Sequence, residues 1–143
     1  MRKNGESPAA VVLDAGPLIA LVHATDQDHA TSVAGFRQLA TSGARLIAPL
    51  PIVFEVYKWV LYNGGNRAAR RALSTLVEAT EVVYPSPEEF GGVRELVAAL
   101  PDWQGTLEDA LVALTALQLR APLWTLNYRD MSVFQRLSFW IPN

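Results

Sequence analysis

The sequence predicts an α/β fold, with a mostly parallel sheet covered by helices on both faces. Three observations carry that prediction. AAVVLD (9–14) is short, rich in Val and apolar at successive positions, as a strand buried on both faces should be. Longer segments with helical spacing follow it, such as DQDHATSVAGFRQLATSG (26–43), where Ala30, Val33, Phe36, Leu39 and Ala40 recur on one side. Further short apolar runs then alternate with further helical segments. Strands separated by helices imply βα units and hence parallel pairing.

The elements follow in order. After the first strand, AGPLIALVHA suits a helix with Pro17 in its first turn. The helix over 26–43 stops at Gly43. RLIAP (45–49) is a second strand. PIVFEVYKWVLYNGG (51–65) is a helix ended by Gly64 and Gly65, and 66–80 is another. EVVYP (81–85) is a third strand. Ser86 caps a helix over 86–100, with Pro87 and acids at its dipole-favoured end. A helix over 106–120, a strand over 121–127, a helical turn over 130–136 and a last strand over 137–141 complete the chain.

Its 143 residues suit one domain, and no repeat or linker divides them. Residues 1–8 are expected to be a flexible tail and 9–143 a single domain. No apolar run is long enough for a membrane helix, and the N-terminus has no apolar signal core. The absence of cysteine excludes disulfides, thiol nucleophiles and thiolate metal sites, and is compatible with a cytoplasmic protein. The net charge of −2 creates no global field for nucleic acid. Such a partner would need a local basic patch or metal ions.

Asp14 stands out because an ionised carboxylate in an apolar run is costly unless it is paired or bound to metal. In parallel sheets the functional cleft lies at the carboxyl ends of the strands, where Asp14 and Asn127 fall. Glu55, Asp109 and Asp130 are also set in apolar sequence. Carboxylates gathered in one cleft repel each other unless a divalent cation neutralises them. Oxygen ligands without Cys favour Mg²⁺ or Mn²⁺, which suits phosphodiester hydrolysis. Each acid has a plainer role available. Asp14 can cap the next helix, Glu55 can pair with Lys58, Asp109 can close a capping box with Thr106, and Asp130 can cap a turn.

Other constellations are weaker. His23 and His29 lack further zinc ligands nearby. No GxxxxGK or GxGxxG is present. Arg67, Arg70 and Arg71 form a basic cluster at helical spacing, either a solvated face or a patch that tracks RNA phosphates. Trp59, Trp124 and Trp140 suit the core. An aspartyl phosphatase would want an Asp where Gly16 stands and a placed Lys, and the chain has only Lys3 and Lys58.

VVLDAGPLIAL, LPIVFEVYKWV and TLEDALVALTALQLRAPLWTLNYRDM together resemble the PIN-domain family of ribonucleases, in particular the VapC type of toxin. The resemblance runs from about residue 9 to about residue 140. It implies a three-layer α/β/α sandwich with a central parallel sheet. It implies metal-dependent endoribonuclease activity, the cleavage of single-stranded or loop RNA with Mg²⁺ or Mn²⁺. The catalytic acids would be Asp14, Glu55, Asp109 and Asp130, with Asp14, Asp109 and Asp130 on the metal, and Thr125 and Asn127 in support. Asn127 stands where many members have Asp, and Met131 where Phe is usual. A cognate antitoxin and a homodimer are the implied partners, and the helix over 51–63, with Val53, Tyr57 and Val60, could supply either surface. A catalytically silent scaffold that binds RNA or protein is the alternative.

Overall fold

A computed structural model of the protein describes residues 7–143. Most of the expected tail, residues 1–6, therefore lies outside the described residues. Four parallel strands form the sheet: β1 (Ala10–Leu13), β2 (Arg45–Pro49), β3 (Glu81–Val83) and β4 (Leu123–Trp124), in the order β3-β2-β1-β4. Val12 of β1 registers with Ile47 of β2 on one side and with Leu123 of β4 on the other. Val11, Val12 and Leu13 are all fully buried. Successive strand residues point to opposite faces, so both faces of β1 are covered, as its unbroken apolar sequence predicts.

Helix α1 (Ala15–Val22) is packed by α2 (His29–Ser42) and α3 (Leu50–Ala79), and α3 also lies against β2 and β3. Helices α4 (Pro87–Ala98) and α5 (Leu107–Leu119) pack on each other, and α5 lies against β1, β2 and β4. The local signals explain the ends. Gly43 closes α2 at φ 70°, and the Ser86 hydroxyl accepts the Glu89 N–H at 3.1 Å to start α4.

Four expectations change in detail. The helices expected over 51–65 and 66–80 join as α3, broken only at Gly65 (φ 87°, ψ 175°). Glycine reaches that conformation without a Cβ clash, so one residue makes the kink and no loop is needed. The strand expected over 121–127 narrows to β4, because the Thr125 side chain takes the Asn127 N–H and turns the chain. The helical turn expected over 130–136 is α6 (Tyr128–Met131). The strand expected over 137–141 shrinks to one bridge, Leu123 with Phe139, since β4 is only two residues long.

The core centres on β1 and on a tryptophan pair. Trp124 and Trp140 meet edge-on, with ring centres 4.8 Å apart, and Phe36 packs on Trp124 at 4.6 Å. Trp59 is half-buried against the same core. Val53 and Val60 are buried in it, so core packing accounts for the apolar face of α3 that they mark.

Candidate active site

Asp14 follows β1 directly and is 7% exposed. One oxygen, Oδ1, accepts the Ala15 N–H at 2.9 Å, which caps α1. The other, Oδ2, accepts the Thr125 hydroxyl at 2.7 Å. Thr125 is fully buried just beyond β4, and its Oγ1 in turn accepts the Asn127 N–H at 2.9 Å. The capping role and the place in the cleft therefore coexist: the sheet brings β4 beside β1, and two donors compensate much of the cost of burial.

Because the strands are parallel, their carboxyl ends share one edge of the sheet. A cleft of about 330 Å³ opens there, lined by Asp14, Glu55, Thr106, Asp109 and Asn127 among others. Glu55 arrives on the second turn of α3, just after β2, and Asp109 on the first turn of α5. Asp109 also forms the expected capping box: its N–H donates to Thr106 Oγ1 at 3.1 Å, and Thr106 N–H reaches its Oδ2 at 3.5 Å. Glu55 has no ion-pair partner among the described residues, so it does not pair with Lys58.

The acids feel each other. Desolvation, then the charges of Asp14, Asp109 and Glu108, push the Glu55 carboxyl up to about 7. Desolvation and the Asp14 charge also raise Asp109, against the opposing hydrogen bonds from Thr106. Such a cleft is short of positive charge. Among the described residues, no three Asp, Glu or His side chains form a ready-made metal cage. The donors that line the cleft are nevertheless all oxygen, from three carboxylates, a carboxamide and a hydroxyl. They fit a hard cation such as Mg²⁺, which takes one or two carboxylates and completes its shell with water.

Asp130 sits apart from this group. It is exposed and lines a neighbouring cavity, tied to the cleft through Asn127 Nδ2, which donates to its Oδ2 at 3.2 Å. Arg67, Arg70 and Arg71 are exposed on α3 beyond the Gly65 kink, and none lines the cleft. His29 Nδ1 pairs with the Ala20 carbonyl at 2.8 Å, while His23 lies 3.8 Å from Asp26. Sequence reasoning missed Glu108, whose charge reaches Glu55, and Leu126, whose side chain lies 3.2 Å from where a Cβ on Gly16 would stand. Gly16, two residues after Asp14, was the available signal for a tight cleft wall.

A family model described as PIN domain matches residues 11–139. No curated protein matches the chain in sequence. Several solved structures share the fold. VapC20 of Mycobacterium tuberculosis, described as a Sarcin-Ricin loop cleaving toxin, superposes with a TM-score of 0.77 at 16% identity, over 92% of this chain and 99% of that one. VapBC2 of Rickettsia felis, bound to a DNA fragment from its promoter, gives 0.72 at 15% identity, over 92% and 97%. A toxin–antitoxin complex from Klebsiella pneumoniae gives 0.61 at 20% identity, over 93% and 98%.

Proposed function

This chain belongs to the PIN-domain family, and on that premise we propose that it is a metal-dependent endoribonuclease, the toxin of a toxin–antitoxin pair, with residues 9–143 working as one domain. The observation that supports this most is the convergence of Asp14, Glu55 and Asp109 on one cleft, where desolvation and then the neighbouring charges raise the Glu55 carboxyl to about 7. The RNA-cleaving toxin among its structural neighbours supports the choice of substrate.

Asp14 and Asp109 are the proposed metal ligands, with Asp130 reaching the rim through Asn127. A bound Mg²⁺ or Mn²⁺ would supply a Lewis acid for the charge that develops on phosphate. Thr125 fixes the Asp14 carboxylate so that it needs no reorganisation when substrate arrives. Glu55, on the same cleft wall, can accept a proton from the attacking water. Arg67, Arg70 and Arg71 stand as exposed cations for more distant RNA phosphates.

A cognate antitoxin and a second copy of the chain are the proposed protein partners. An apolar groove of about 510 Å³ between α1 and the two limbs of α3, lined by Leu18, Val22, Trp59, Ala68 and Ala72, suits an amphipathic helix of such an antitoxin. An antitoxin Arg could also neutralise the acidic cleft. Among the described residues, no helix is long and apolar enough to cross a membrane, which fits the proposed cytoplasmic setting.

The test is cleavage of a structured RNA pool with Mg²⁺ or Mn²⁺, beside EDTA and Asp14→Asn controls. Metal-dependent cutting that both controls abolish is the expected result. An Asp14→Asn protein that cuts as fast as the original would overturn the assignment. RNA that is bound in metal and never cut would favour the silent scaffold.

A further inference from the structure

A second cavity, of about 580 Å³, adjoins the acid cleft and is lined by Asp102, Trp103, Gln104, Arg129 and Asp130 among others. The two are lined by adjacent residues. Gln104 and Gly105 line this cavity, while Thr106, next in the chain, lines the cleft. Asn127 lines the cleft and donates to Asp130, which lines the cavity. On the endoribonuclease reading, a strand with its scissile phosphate over Asp14 and Asp109 would bring a flanking nucleotide to this neighbouring cavity.

We propose that this cavity is a base pocket, which seats the unpaired base beside the scissile phosphate and prefers a base with an exocyclic amine to uracil. The proposal rests on the endoribonuclease reading above and adds the subsite that selects where the strand is cut. Its volume lies in the range of small-molecule pockets, roughly 300–1,000 Å³. Unpaired RNA bases are recognised by stacking on aromatic or guanidinium planes and by hydrogen bonds to their edges. Trp103 and Arg129 supply the planes.

Trp103 is held as a rigid surface. Its ring packs on Phe134 at 5.1 Å, and it lies so close to Gly105 that a Cβ there would stand 2.0 Å from the ring. Only glycine at 105 permits that seat. The Trp103 indole N–H is buried with no acceptor among the described residues.

The polar lining chooses the edge. Two carboxylates, Asp102 and Asp130, outnumber one guanidinium, Arg129, so the pocket suits N–H donors better than a phosphate. Guanine, adenine and cytosine carry an exocyclic amine that Asp102 or Gln104 can accept. Uracil has no exocyclic amine, and its one edge donor, N3–H, lies between two carbonyls that face those acceptors unfavourably.

The experiment sequences the cut ends of a random RNA library treated with the original protein, Asp102→Asn, Gln104→Ala and Arg129→Ala. Asp102, Gln104 and Arg129 are exposed, so these changes leave the core untouched. The original protein should disfavour uracil about tenfold at one position flanking the cut, within the range one base contact discriminates. The variants should flatten that preference at that position alone. Variants with the original preference would overturn the pocket and leave the endoribonuclease reading standing. If the original protein cuts nothing, that reading fails first. The pocket is then judged by NMR on Asp14→Asn protein, with the Trp103 indole signal identified through Trp103→Phe. Oligo-A should move that signal more than oligo-U does, and no movement with either would overturn the pocket.

Discussion

Thr125 donates its hydroxyl to Asp14 Oδ2 at 2.7 Å, and the two residues lie 111 positions apart in the chain. Both are buried, and the same hydroxyl accepts the Asn127 amide. One side chain thus joins the two strand ends that form the cleft floor. Thr125→Val keeps the shape, strips a donor from Asp14 and leaves the Asn127 N–H without its acceptor. Stability should fall by about 1–3 kcal/mol in urea unfolding, and RNA cleavage about tenfold, with Thr125→Ser restoring both. Equal midpoints for Val and Thr would show the bond to be incidental.

Asp14→Asn should separate folding from chemistry. Asn is as good a helix cap as Asp, so α1 should start normally and the melting temperature of the metal-free protein should hold or rise as repulsion with Glu55 and Asp109 is relieved. Calorimetric titration with Mg²⁺ or Mn²⁺ should lose its binding heat. Undiminished binding would place the metal elsewhere.

Glu55 makes stability depend on pH. Its pKa rises from 4.5 to about 7 on folding, so its contribution is fully present below pH 4.5 and is lost as pH rises through about 7. In metal-free buffer the protein should lose stability across that window relative to Glu55→Gln. Glu55 is solvent-accessible, so screening limits the difference to the order of 1 kcal/mol. Urea midpoints at about pH 5 and about pH 8 measure it. The same pH slope in both proteins would refute it.

Gly35 tests the core beneath the sheet. A Cβ there would stand 2.6 Å from the Trp124 ring and 2.9 Å from Pro142. Gly35→Ala should destabilise by about 1–3 kcal/mol despite the better helix propensity of Ala, because the Trp124 side chain is buried and has little room to yield. A more stable Ala variant would show that the ring moves.

Much of this protein was legible along the chain because its signals are local. Val11–Leu13 announce a strand covered on both faces, Ser86 and Thr106 announce helix starts, and Gly43 a helix stop. Capping, periodicity and turn chemistry act within a few residues, so sequence alone locates most elements and places Asp14 and Asp109 at a strand end and a helix start. It does not decide which strands are neighbours. The pairing of β1 with both β2 and β4 is what brings Thr125 to Asp14. It also sets the distances at which Asp14, Asp109 and Glu108 raise Glu55, and the displacement of Asp130 into the adjoining cavity. Hydrogen bonds and Coulomb forces depend on separation in space, and only the packed sheet and its helices determine that separation.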